Sequence, residues 1–516
     1  MGGQDAGVDR PPPPPPMGQL IAQGDKLRAV LFSPDGDRLL YTTGTSTVSY
    51  PTGILWAWSF SRGQATMIED RARIDTVAFI NGGNGLVYLK DLQGPGVVGD
   101  IGALTVYDFA TAAKVTVSTQ TAGTVIKLSP DHARITYVDG YDSVLLTPNH
   151  PLMVWTFAAG AATTLEATGG TVRAWSPDSR YVVYFIAANM YLWDTRDGSR
   201  TTIATTGGAD LALAWSAASD KVAFQIPLYV GVYDVAAKTT VMGAGNVPTG
   251  DTPSFSPDGS RLAFRSTTSG NTTMVLMTTA TGATTSLGAG TLGPFSPDGA
   301  LLPTFVPVVG GGRPTLHFRT LATGADATIA TNAQAPGVIW SDDGKQAAFI
   351  TNSGSTSATS MLQLWTAASG TPRTLTAAAT GAVQGSVSFA GGGTRLVYAA
   401  FAPPGGTPKA TADLYLMDLA SGTAVNLGTD LVGQTNPNSV AYLTADGKCA
   451  AFTAGYDSAH MLANVMSFPL TAGAALPAGG TVLDYAASYW PIVVSSKRVA
   501  YVIGGGLYAS VLPCGS

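Results

Sequence analysis

The chain has 516 residues, of which 45% are hydrophobic and only 12% charged, with a formal net charge of −5. An average soluble protein carries about 25% charged residues, so the exposed surface here must be built largely from Thr, Ser, Gly, Ala and Asn. The acidic balance, with no basic cluster, leaves no electrostatic footprint for a phosphate backbone and excludes nucleic acid as an expected partner; no run of 18 apolar residues exists to span a bilayer as a helix.

Residues 1–17, MGGQDAGVDRPPPPPPM, are rich in Gly and then polyproline. They read as a disordered tether, because such a composition cannot bury enough surface to fold. They carry neither the charged n-region nor the apolar h-region of a secretory signal. This opening resembles the start of a mature bacterial lipoprotein just after its acylated cysteine, which implies an exported protein with a lipid anchor; an ordinary disordered N-terminus is the other reading. QLIAQ follows, Gln19–Gln23, with the length and alternation of one β-strand.

From there to residue 516 one pattern recurs eleven times: an apolar residue, a turn of the Ser-Pro-Asp-Gly kind, and a short apolar strand. The clearest copies are FSPDGDRLLY from Phe32, WSPDSRYVVY from Trp175, FSPDGSRLAF from Phe255 and WSDDGKQAAF from Trp340. Degenerate copies start at Phe79, Leu128, Trp215, Phe295, Phe389, Leu443 and near Val493. Successive starts lie 40 to 54 residues apart, a period that fits four-stranded propeller blades. In the sixth copy, residues 252–255, 261–264, 273–278 and 284–287 are the expected strands. Proline presets φ near −65° in the turn, aspartate bonds nearby amides and glycine tolerates positive φ. The repeated aspartates, Asp35, Asp178, Asp258, Asp298 and Asp343, are too regular to be a site and read as turn residues.

The third strand of each copy places a bulky residue before a polar one, as in Tyr107-Asp108, Trp193-Asp194, Tyr233-Asp234 and Met417-Asp418. Aromatic residues at fixed strand positions are filling between neighbouring sheets, since each sheet can cover its two apolar faces only by stacking on copies of itself. With segments such as YLWDTRDG (191–198) and LYLMDLASG (414–422), the repeat resembles the TolB-type, WD-like β-propeller over residues 18–516. That resemblance implies an all-β propeller and, for TolB itself, periplasmic protein–protein binding. The expected fold is about eleven four-stranded blades, the last completed by Gln19–Gln23 so that no edge stays open. Rings typically hold about 4–8 blades, so two fused rings of five and six are preferred over one ring of eleven.

In such blades the first-to-second and third-to-fourth turns share one face and the second-to-third loops lie on the other. The second-to-third loops 42–53, 90–102, 139–151, 351–360, 402–413 and 454–462 are long, and long loops are where binding concentrates. Two of them share Gly-Tyr-Asp-Ser, which makes Tyr141, Asp142, Tyr456 and Asp457 candidate contacts, the tyrosines because they offer large area at small entropic cost. His460 beside Asp457 is the one candidate acid–base pair. The other histidines, His132, His150 and His317, are scattered. No nucleophile elbow, Walker loop, dinucleotide fingerprint or EF-hand loop occurs, so no cofactor or metal is expected, although ligands gathered from distant blades stay open. Cys449 and Cys514 are the only cysteines, so at most one disulfide can form. Two functions follow. The favoured one is a non-catalytic binding or scaffold module in the periplasm or on the cell surface, engaging a protein or a cell-envelope glycan through the long-loop face. The alternative is a polysaccharide hydrolase or lyase with its site at the channel mouth.

Overall fold

The structure is a computed structural model that describes residues 16–44, 51–91, 101–141, 150–167, 169–205, 213–352, 360–376, 382–401, 411–429, 431, 442–444, 448–457, 462–470, 480–488 and 492–513. Residues 1–15 of the expected tether therefore lie outside the described residues. Among the described residues the chain is all β, interrupted by single 3-10 turns at Ile74–Thr76, Asn81–Gly83 and Gly123–Val125, and no helix is long and apolar enough to cross a membrane.

The described strands form antiparallel sheets, nine of four strands and one of eight. Eight of the four-stranded sheets are meanders of consecutive strands, the pattern of a propeller blade, and the ninth joins three consecutive strands to the first strand of the chain. The eight-stranded sheet is two such meanders, 28–73 and 78–122, joined by the single pair Ala72↔Lys90. The sixth copy shows the match to the sequence pattern: Ser254–Phe255, Arg261–Thr268, Asn271–Thr278 and Thr284–Gly288. Its first strand is shorter than expected, and Pro253, which has no N–H to give a ladder, stands just before it.

Four residues fix each opening turn. Gly259 N donates to Ser256 O at 2.8 Å, with Gly259 at φ 68°, a left-handed conformation that favours glycine. The Ser256 hydroxyl donates to Asp258 Oδ1 (2.6 Å) and accepts from Arg261 N (3.0 Å), so short polar side chains stand in for missing ladder bonds. The serine-to-aspartate bond recurs at Ser33–Asp35, Ser129–Asp131, Ser176–Asp178, Ser296–Asp298 and Ser341–Asp343. Where His132, Ser179 and Ser219 replace the glycine, φ stays positive at 56°, 61° and 59°, and the side chain links adjacent meanders. Ser179 Oγ accepts from Asp131 N (2.9 Å) and Ser219 Oγ from Asp178 N (3.0 Å), while His132 Nδ1 lies 2.8 Å from Phe79 O.

The core lies between the meanders. Each buried cluster draws on two consecutive units: Leu40 and Leu55 with Phe79 and Tyr88, Val183 and Phe185 with Val222 and Phe224, Ala263 with Phe295 and Leu302. Another joins the two ends of the array, Ala29, Leu39 and Tyr41 with Ala500, Leu507 and Ala509. Among the described residues no cluster joins units that are not neighbours in this cyclic order. Trp175 is buried, with Nε1 donating to Lys127 O of the preceding unit at 3.1 Å; half-buried Trp340 donates to Pro294 O in the same way at 3.0 Å.

Gln19–Gln23 pairs antiparallel with Gly506–Val511 and supplies the fourth strand beside Val493–Val494 and Arg498–Ile503. A buried carboxylate ties this strand down: Asp484 Oδ2 accepts from Met17 N (3.1 Å), Gly18 N (3.1 Å) and Tyr501 Oη (2.8 Å). Cys449, also buried, is engaged in a disulfide; Cys514 lies outside the described residues.

Candidate functional site

Among the described residues, short turns from consecutive units meet along one edge and at two junctions leave a groove between them. The groove between the 171–205 and 213–244 units encloses about 460 Å³. Its floor is Tyr181, Leu192 and Tyr233, all buried, and burial raises the Tyr181 phenol above its ordinary range. Its walls carry Asp178, Arg180, Asp194, Asp197, Asp220 and Lys238.

Each wall carboxylate has a fixed partner. Asp178 accepts from the Ser176 hydroxyl and from Arg180 N (3.1 Å). Asp194 receives the Arg180 guanidinium through Nη2 (2.6 Å) and Nε (3.1 Å), and that guanidinium also lies over the Tyr181 ring, 4.6 Å from its centroid. Burial pushes the Asp220 carboxyl up, but Lys221 Nζ (2.7 Å) and the Ser216 hydroxyl (2.7 Å) outweigh it and hold it below the usual carboxylate range. The Ser199 hydroxyl and amide hold Asp197 down likewise. The groove thus presents carboxylates as fixed hydrogen-bond acceptors, with Asp197 and Asp220 held in their charged form.

Of the residues singled out in the sequence, Tyr141 lies just past the end of a second strand, on the opposite edge. Tyr141 is half-buried and packs against the cluster of Val138, Leu152 and Trp175, with its N donating to Gln120 O at 3.2 Å. Asp142 and His460 lie outside the described residues, as do the side chains of Tyr456 and Asp457, whose backbones close the strand Cys449–Asp457. Part of each long loop is outside the described residues too. His317 does find a carboxylate, Asp326 Oδ2 at 3.1 Å, across adjacent strands.

Sequence reasoning missed two polar arrangements. One is the groove itself, whose walls come from different repeats. The other is Glu69, buried between the first two meanders, which accepts from Tyr88 Oη (3.2 Å), Lys90 Nζ (2.8 Å) and Lys114 Nζ (3.2 Å). Neither left a local signal, since the partners stand 14 to 45 residues apart and meet only through strand pairing and the stacking of units.

No known family model and no curated protein matches the chain. Similar arrangements occur among solved structures. The tricorn protease is 10% identical, with 94% of this chain and 55% of that one covered and a TM-score of 0.31, so this chain spans about half of that protein's length. TolB from Acinetobacter baumannii is 18% identical, with 63% and 76% covered and a TM-score of 0.26. A eukaryotic initiation factor is 12% identical, with 88% and 98% covered and a TM-score of 0.45. The likeness is one of strand arrangement alone.

Proposed function

We propose that the chain is a non-catalytic binding or scaffold propeller of TolB type that engages a protein or cell-envelope partner through the edge bearing loops 42–53, 90–102, 139–151, 351–360, 402–413 and 454–462. Tyr141, Asp142, Tyr456, Asp457 and His460 are its proposed contacts. What supports this reading is that each groove carboxylate is hydrogen-bonded to a fixed partner, an arrangement that suits recognition.

The meanders are read as eleven blades of one closed ring rather than fused rings of five and six. A five-bladed ring needs a core between its first and fifth blades, whereas the observed clusters run from each unit to the next and from the last to the first. An extracytoplasmic location is supported by the disulfide at Cys449, since such bonds persist in oxidising compartments; the lipid anchor rests on the resemblance of residues 1–17 to a mature lipoprotein start. Scattering from the purified chain should give a single broad disc; a bilobed envelope overturns the one-ring reading. Pull-down from an envelope extract, repeated with 402–413 or 139–151 replaced by a short Gly/Ser link, tests the binding edge. Loss of a partner with either replacement is the expected result, and undiminished recovery of every partner with both overturns it.

A further inference from the structure

The edge opposite the long loops holds a second groove, of about 220 Å³, between the 28–73 and 78–122 units. It occupies the same place in the repeat as the 460 Å³ groove. Gly63 and Gly198, at φ 61° and 70°, set the frame. Arg62 then stands where Asp197 does, Gln64 where Ser199 does, Thr66 where Thr201 does and Ser59 where Asp194 does. On the far wall Phe109 replaces Val235 and Ala112 replaces Lys238, at φ 57° and 55°.

The two grooves differ in charge. In the larger one Asp194 neutralises Arg180. In the smaller one the matching positions are Ser59 and Asp37, and Asp37 is occupied by the Ser59 hydroxyl (3.1 Å), Ser61 N (2.8 Å) and the Ser61 hydroxyl (2.9 Å). Asp108 is taken up by Ala110 N and by the amide and hydroxyl of Thr111. Neither carboxylate lines the cavity; its charged lining is Arg38 and Arg62. Arg38 reaches Gly83 O with Nη1 (3.3 Å) and lies over the Phe109 ring, 4.5 Å from its centroid. Arg62 stands in the turn just ahead of the strand Gln64–Arg73, on which Gln64 and Thr66 share one side; all three line the cavity, and among the described residues their side chains make no bond to the protein.

We propose that this groove binds a carboxylate-bearing sugar, one uronic acid residue of a glycan at a time. The Arg62 fork matches a carboxylate through two parallel hydrogen bonds, and Gln64 and Thr66 match ring hydroxyls; Phe109, with Arg38 over its ring, closes the far wall. A lone aspartate or glutamate side chain would satisfy Arg62 and leave Gln64 and Thr66 unpaired, which favours the sugar over an acidic peptide. The cavity is smaller than the roughly 300–1,000 Å³ of pockets for drug-sized ligands, consistent with a single sugar residue. This site stands on the edge opposite the long loops, so its failure leaves the loop-edge reading intact.

The test is titration calorimetry of the full chain with sodium glucuronate, glucose and a polyglutamate peptide. Glucuronate should bind saturably and glucose at least about tenfold more weakly. Arg62→Ala should weaken glucuronate by about tenfold or more, with partial recovery in Arg62→Lys, while Arg28→Ala, a charge change at an exposed position elsewhere, leaves binding within about twofold. Arg62 is exposed, so thermal unfolding of its variants should match the parent and report an intact fold. Absence of saturable glucuronate binding, equal binding of glucose, or an unchanged affinity in Arg62→Ala each overturns the proposal. Tighter binding of polyglutamate than of glucuronate assigns the groove to a protein partner and also overturns it.

Discussion

Two junctions in this array bury similar cores from different stretches of chain. Between the 171–205 and 213–244 units every contributing group comes from neighbouring sequence: Val183 and Phe185 meet Val222 and Phe224, and Ser219 Oγ accepts from Asp178 N. Where the last unit meets the first, the groups come from opposite ends of the chain. The contacts are nonetheless of the same kind. Arg498 Nη1 donates to Gly36 O at 3.0 Å, as Arg38 Nη1 donates to Gly83 O and Gln346 Nε2 to Gly393 O at other junctions. What the closing unit adds is Asp484 on the outer strand of the unit before it, a buried carboxylate that accepts from Tyr501 and from the two residues just ahead of the incoming strand. The lesson is that spatial order makes a junction, and that a strand tethered at one end only needs extra polar ties to hold its place.

Removing residues 1–24 is the severest way to break that comparison. It takes away the fourth strand of the last unit and bares the edge of Gly506–Val511, an open template for association. Thermal unfolding should drop further than for any single substitution, with aggregation visible by size exclusion; an unchanged midpoint would mean the strand is dispensable.

Core truncations compare the junctions directly. Phe224→Ala at the ordinary junction should cost about 3–5 kcal/mol and Leu39→Ala at the closing one about 2–5 kcal/mol, since both side chains are fully buried. Denaturant titration measures both, and a negligible cost for Leu39→Ala would show the closing core to be loosely packed.

The polar ties should rank below the core. Asp484→Ala leaves two backbone N–H groups and the Tyr501 hydroxyl without their acceptor, for about 3 kcal/mol, while Tyr501→Phe removes one donor for about 1 kcal/mol. Ser219→Ala, the ordinary tie, should cost about 1 kcal/mol. A cost for Asp484→Ala no larger than for Ser219→Ala would remove the case for special reinforcement.

The smallest effect is that of pH. The Ser256 hydroxyl holds Asp258 below the usual carboxylate range, and the Ser341 hydroxyl does the same for Asp343. A carboxylate whose pKa is depressed on folding contributes stability that is fully present above its unfolded pKa and lost as pH falls through the folded value. Thermal midpoints should therefore hold from neutrality to about pH 5 and fall below about pH 4. The joint variant Ser256→Ala, Ser341→Ala should flatten that fall; a slope identical to the parent would exclude these turns as its source.

The repeat was legible because its signals are local. The Ser-Pro-Asp-Gly turn, the bulky residue before Asp194 or Asp234 and the alternation of QLIAQ each reflect neighbours within a few residues, and all appear as strands and turns where expected. The grooves were not legible, because each combines side chains from two repeats. Arg180 and Asp194 are 14 residues apart and become partners only through strand pairing. The replacement of a turn glycine by Ser179 or Ser219 looks like degeneracy in sequence, and only the stacking of units shows that the hydroxyl links them. Loop length pointed to one edge, whereas the described cavities lie on the other, where the turns are short and the chemistry is set by which residue fills each repeat position.

The pairing of the first strand with the last also sets how the molecule answers to force. Gln19 lies opposite Ala509 and Gln23 opposite Gly506, so the leading end of one strand sits beside the trailing end of the other. Tension applied between the chain ends loads the ladder bonds one at a time, peeling the strand away like a zip instead of shearing it as a block. A tug on both ends would open this seam before it disturbed any other sheet.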